Sequence, residues 1–251
     1  MIPNPIRHVL STIQKNGVQA LLMGGQACVF YGAAQISKDI DLLLLAGPEN
    51  FDGLRRALAA LEGRRIAVPP FDPAVLERGH AVHFRCGAPE VEGLRIDVMT
   101  CLRGLPAFPV LWERRTMLVD EDGVEFHLLS VPDLVLAKKT QRQKDWPMID
   151  ALVAIHYREH GTAPSPEKTS FWLREARSAE LLVELVGRFE QEAREHVQVR
   201  PLLQTALAGD MPALREALDA EVRAEQDKDR CYWEPLKKEM EAFRRAERLS
   251  G

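Results

Sequence analysis

The run LLMGGQACVFYGAAQISKDIDLLLL, Leu21 to Leu45, decides how this chain is read. An apolar segment reaches the pair Gly24-Gly25. A short helical stretch of small and aromatic residues follows, and a second apolar segment opens with Asp39-Ile40-Asp41. Two carboxylates at i and i+2 on a strand point the same way, while Ile40 points toward a core. Like charges held that close repel unless a cation sits between them. A hard divalent ion, Mg2+ or Mn2+, suits such oxygen ligands. The glycine pair, at a strand-to-helix turn, offers backbone N–H groups to an anion. A phosphate cradle beside a carboxylate site points to nucleotide chemistry.

Composition bounds the rest. At 251 residues, one large or two small domains are expected, and 46% hydrophobic with 28% charged residues fits an ordinary globular protein. A net charge of −4 argues against a protein that coats nucleic acid without sequence preference. Cys28, Cys86, Cys101 and Cys231 lack C-x-x-C spacing and read as isolated thiols. The opening MIPNPIRHVLS lacks the apolar stretch of a signal peptide, and no apolar run approaches the roughly 18 residues needed to cross a bilayer. The expectation is a cytoplasmic protein without a membrane partner.

Outward from the central run, Ile6, Val9, Leu10 and Ile13 predict a helix over 5–16, and Val18 to Met23 a buried strand. Ile40 to Leu45 reads as a central strand, and Asn50 to Leu61 as an amphipathic helix. Arg64 to Val68 reads as extended, and Asp72-Pro73 as the cap and first position of a short helix. His80 to Cys86 and Leu94 to Thr100 read as strands, and Thr116 to Leu129 as a hairpin around Glu121-Asp122-Gly123. At Ser130 the texture turns helical. Helices are predicted over 131–144, 147–160, 166–177, 179–196, 199–208, 211–225 and 228–249. The boundary is therefore placed between a 1–129 core and a 130–251 helical domain. From Ser165 onward, 18 acidic and 15 basic residues are evenly mixed, which reads as solvated helix faces rather than a charged tail.

The chemistry rests on whether Asp39, Asp41 and Asp97 converge. Asp97 lies between Ile96 and Val98, and an acid inside an apolar strand needs a partner. If its strand pairs level with Ile40–Leu45, three carboxylates face one cleft, the arrangement that supports metal-assisted phosphoryl and nucleotidyl transfer. Lys138 and Arg142, four apart on the predicted 131–144 helix, share a face that reads either as charge for a triphosphate, with Lys144 nearby, or as a solvated basic face paired with Asp133 and Asp145. Lys38 reads either as a phosphate contact or as a salt-bridge partner of the neighbouring acids.

The motif Met23-Gly24-Gly25, thirteen residues, Asp39-Ile40-Asp41-Leu42 and a later strand Asp97 resembles that of the polymerase-beta-like nucleotidyltransferases, over residues 18 to 100. The resemblance implies that Gly24 and Gly25 hold the triphosphate. It also implies that Asp39 and Asp41 bind metal and that Asp97 completes the metal site and favours deprotonation of the attacking hydroxyl. A looser likeness, in Ser37-Lys38-Asp39-Ile40-Asp41-Leu42 and in Leu134–Lys138 with Arg142, Lys144-Asp145 and Asp150, is to the AbiEii-type toxin nucleotidyltransferases. It implies a phosphate contact for Lys138 and an activity-linked carboxylate at Asp145.

These readings imply an α+β fold, a small mixed sheet flanked by helices (the nucleotidyltransferase fold) followed by a C-terminal helical region. The implied enzyme is Mg2+- or Mn2+-dependent and moves a nucleotide monophosphate from an NTP to an acceptor hydroxyl. The acceptor is a tRNA or a small molecule of the antibiotic type, and a cognate antitoxin is an implied partner. A non-catalytic nucleotide-binding module of a two-component complex is the rival.

Overall fold

A computed structural model describes residues 4–250. In chain order the elements begin with α1 (Asn4–Lys15), β1 (Ala20–Met23), α2 (Gly24–Phe30), β2 (Asp39–Leu44), α3 (Pro48–Ala60) and β3 (Arg64–Arg65). Next come α4 (Pro73–Glu77), β4 (Val82–Arg85), β5 (Arg95–Met99), α5 (Phe108–Glu113), β6 (Thr116–Val119) and β7 (Glu125–Leu128). The helical part comprises α6 (Val131–Ala137), α7 (Trp146–His160), α8 (Pro166–Glu175), α9 (Ala179–Arg188), α10 (Glu190–His196), α11 (Leu202–Leu207) and α12 (Met211–Ser250). The class is α+β with one seven-stranded mixed sheet, ordered β3-β4-β5-β2-β1-β7-β6.

The chain divides into two compact units. The sheet unit takes residues 4–30, 34–137 and 232–250, and the helical unit takes 31–33 and 138–231. This corrects the expected 129/130 boundary at both ends. Helix α6 belongs to the sheet unit because Leu134 and Val135 are fully buried there and buried Asp133 is gripped by Arg114 and by the Ser130 hydroxyl. Residues 232–250 belong there too. Leu236 is buried, Glu239 pairs with Arg78 and His80, and the Phe243 ring lies 5.9 Å from His80.

In the sheet unit, β2 is central. It pairs antiparallel with β1 and parallel with β5, so its backbone is hydrogen-bonded on both sides. Ile40, Leu42, Ile96 and Val98 alternate onto one face and are buried. Buried Asn50, in the first turns of α3, fixes the far ends of β1 and β2. Its amide donates to the carbonyls of Gln19 and Leu45, and its oxygen accepts from the Gln19 N–H. Asp72 caps α4 as expected, accepting from the Ala74 N–H.

Several helices differ from their predicted spans. The 131–144 helix stops at Ala137. The 179–196 helix breaks at Phe189, whose backbone leaves the helical region at φ −122 and ψ 52. The two helices expected over 211–225 and 228–249 are one. Lys228–Glu225 and Arg230–Asp227 ion pairs at i,i+3 bridge the charged stretch that read as a break. No disulfide joins the four cysteines. Among the described residues, no helix is long and apolar enough to cross a membrane.

Candidate active site

The β2–β5 register sets the geometry. In this parallel pair Asp41 stands level with Asp97, and Asp39 with Arg95. Directly paired residues project to the same side of a sheet, as do residues two apart on one strand. Asp39, Asp41, Arg95 and Asp97 therefore share one face. In the next strand β4, His83 pairs with Asp97 and Arg85 with Arg95, which brings them to that face as well.

The glycine pair opens α2 directly after β1, where Met23 pairs with Asp41. Gly24 has φ +67, a left-handed conformation that side chains resist. A Cβ there would lie 1.8 Å from Asp41 Oδ2, so the carboxylate rests against bare backbone. At Gly25 a Cβ would come within 2.8 Å of Ser37 Oγ. The Ser37 hydroxyl itself donates to the carbonyl of Asp39 at 3.1 Å, holding the entrance to β2. Lys38 is exposed beside it.

Asp97 is held by two basic neighbours. Its Oδ1 accepts from Arg95 Nε at 2.7 Å and lies 2.8 Å from His83 Nδ1. Arg95 Nη2 is 3.0 Å from that same ring nitrogen. Because arginine only donates, His83 Nδ1 accepts from Arg95 when bare and donates to Asp97 when protonated, one role at a time. Burial pushes the Asp97 carboxyl up. The hydrogen bonds and charges of His83 and Arg95 outweigh that and hold it below the usual range. The Arg95 guanidinium is shifted up, first by its hydrogen bond to Asp97, and further by the charges of Asp97, Asp39 and Asp41.

The donor chemistry suits a hard divalent cation: hard carboxylate oxygens stand on adjacent strands, with Gly24 leaving Asp41 room. The arrangement is not yet a closed ligand set. Among the described residues, no three His, Cys, Asp or Glu side chains are drawn together as metal ligands. Asp97 is turned to Arg95 and His83 instead.

The other predicted residues lie in the helical unit. Lys138 and Arg142 do not share a helix face, because α6 ends before them and residues 138–142 are irregular. Asp145 gathers this segment. Its Oδ1 takes Lys138 Nζ at 3.1 Å, and its Oδ2 takes the Thr140 hydroxyl at 2.6 Å and Arg142 Nε at 2.8 Å. The Lys138 and Asp145 side chains are 6% and 1% exposed, so the expected phosphate contact is an internal ion pair. Side chains that bond locally compete with helical hydrogen bonding, which accounts for the early stop of α6. Burial raises Asp145, and the charge of Lys138, the Thr140 hydroxyl and the charge of Arg142 more than offset it, leaving it below its usual range. Lys144 is exposed.

Arg95 and His83 are the site residues that sequence reading missed as partners of Asp97. The signal for Arg95 was its position two residues before Asp97 on an alternating strand. A scan of family models and a search of curated proteins return no match to this chain.

Proposed function

We propose that the sheet unit is the core of a divalent-metal-dependent nucleotidyltransferase, which moves a nucleotide monophosphate from an NTP to an acceptor hydroxyl and releases pyrophosphate. One observation carries the reading: Asp41 and Asp97 stand level on adjacent parallel strands, with Asp39 on the same face. The close approach of Asp41 to Gly24 supports it, because only a residue without a side chain lets the carboxylate sit against the strand-to-helix turn.

In this reading Asp39 and Asp41 would hold the cation and Asp97 would join them. A divalent ion held there would supply Lewis-acid activation of the α-phosphate and would offset the charge developing on the leaving pyrophosphate. As a carboxylate on the same face, Asp97 would accept the proton of the attacking hydroxyl. The Ser37–Leu42 run favours the toxin-like branch of this chemistry, with a tRNA end as acceptor.

The test uses purified protein, α-labelled NTPs, Mg2+ and a tRNA pool, with a cationic small-molecule acceptor in a parallel tube. Label should move to the tRNA. Asp39→Asn and Asp97→Asn should each lower transfer by about a hundredfold or more, as removal of a charge-stabilising group in an active site does. An Asp39→Asn/Asp97→Asn double variant as active as the wild type refutes the assignment. Label on the small molecule alone moves the acceptor class.

A further inference from the structure

Arg95 occupies the place of a counter-ion on the carboxylate face. It sits two residues before Asp97 on β5, level with Asp39 across the parallel pair, and on the same face as Asp41. Its Nε is spent on Asp97 Oδ1. Three like charges so placed need compensation, and a guanidinium supplies one positive charge where a divalent ion would supply two.

We propose that Arg95 is a built-in competitor of the catalytic cation. It neutralises the carboxylate face and turns Asp97 away from coordination, and it yields Asp97 only when a divalent ion binds. The inference rests on the metal-dependent reading above and adds the residue that sets the metal affinity.

Three features support it. Asp97 Oδ1 already has two partners, Arg95 and His83, so Asp97 joins Asp39 and Asp41 as a ligand after that grip loosens. The Arg95 side chain is 35% exposed, on a flexible stem, so it can leave toward solvent while its backbone stays in the ladder. Its position is also unlike that of the buried Lys138–Asp145 pair, whose two side chains are closed off from water. Arg95 is therefore a positioning residue whose effect on the metal is a coupling. Such a coupling is reciprocal: what the ion does to Arg95, Arg95 does to the ion.

The test measures Mn2+ binding to the full chain by calorimetry and by the loss of free-ion EPR signal, at fixed ionic strength. Arg95→Gln removes the competing charge and should tighten Mn2+ binding by about tenfold, within the usual range of site-to-site coupling. Arg95→Lys keeps the charge but not the guanidinium's fixed donors, and should bind Mn2+ with an affinity between those of the wild type and Arg95→Gln. Saturating Mn2+ should raise the melting temperature of Arg95→Gln more than that of the wild type, since tighter binding stabilises more. Should Arg95→Gln not fold, the wild type alone decides. Its Arg95 Nε–H resonance should shift on titration with diamagnetic Mg2+ as the bond to Asp97 breaks. Wild-type protein that binds Mn2+ while Arg95→Gln binds no tighter overturns the role of Arg95 and leaves the metal reading standing. An Nε–H resonance unmoved at saturating Mg2+ does the same. Failure of both wild type and Arg95→Gln to bind Mn2+ overturns the metal reading, and the inference with it.

Discussion

Gly24→Ala is the sharpest probe of the active face. Two costs combine. The residue holds φ +67, where a side chain costs about 1 kcal/mol. The added Cβ would also meet Asp41 Oδ2 at 1.8 Å, Cγ at 2.4 Å and Cβ at 2.7 Å. Asp41 cannot drift away, because β2 is paired on both sides, and forced overpacking of this kind costs about 1–3 kcal/mol. The expected loss is about 3 kcal/mol, or about 6–12 °C in melting temperature for a chain of this size. Gly25→Ala is the internal control. Its φ is not positive, and its new Cβ would meet the Ser37 side chain alone, at 2.8 Å from Oγ and 3.3 Å from Cβ. That change should be near neutral, with the gain in helix propensity offsetting the crowding. Urea unfolding followed by circular dichroism, with hydrogen exchange at β1 and β2 to localise the loss, distinguishes the two. Equal costs at the two glycines, or a Gly24→Ala protein as stable as the wild type, would refute the claim that Asp41 rests on the Gly24 backbone. A Gly24→Ala/Asp41→Ala double variant should recover part of the loss, because the carboxylate that collides is gone while the strained φ remains.

Other expectations concern the helical unit and pH. Lys138→Met leaves Asp145 charged and buried with Thr140 and Arg142, and should cost about 3 kcal/mol, as removing one partner of a buried pair does. Chemical denaturation at pH 7 measures it, and a loss below a few tenths of a kcal/mol refutes the closed pair. Asp145 is lowered on folding, so its stabilisation is present above its unfolded value near pH 3.9 and is lost as pH falls through the lower folded value. In Lys138→Met the acid loss should begin at higher pH. His156 is depressed to about 4, first by burial and then by the charges of His160 and Lys168, while its Nδ1 accepts from Trp172 Nε1 at 2.9 Å. The unfolded chain then binds a proton that the folded chain refuses between about pH 6.5 and 4, so stability should fall through that window by about 3 kcal/mol. An NMR titration placing His156 near 6.5 would contradict this.

Alternation made the central strands readable. Ile40 and Leu42, or Ile96 and Val98, can reach a core only if Asp39, Asp41 and Asp97 face away from it. What local sequence did not contain was register. That His83 stands level with Asp97 depends on how β4 slides along β5, and a one-residue slip would send it to the other face. Helix ends were misplaced for a related reason. Ala137 ends α6 because a carboxylate eight positions on collects Lys138, Thr140 and Arg142, a closure no helical periodicity predicts. Helix α5 escapes the sequence pattern because Phe108–Glu113, with Pro109 at its second position, is too short to show a period. The 211–250 helix reads as two because of a charged stretch whose residues in fact pair at i,i+3 within one helix.

The return of residues 232–250 to the sheet unit has a consequence for synthesis. A ribosome delivers the seven strands first and the whole helical unit next. Only then does it deliver the segment that brings Leu236, Glu239 and Phe243 to Arg78 and His80. The sheet unit therefore waits, with that patch bare, through the translation of residues 138–231. Such exposed intermediates are where chaperones act and where aggregation begins. A release factor acting early, at Cys231, would leave every proposed metal ligand in place on a unit that had never been closed.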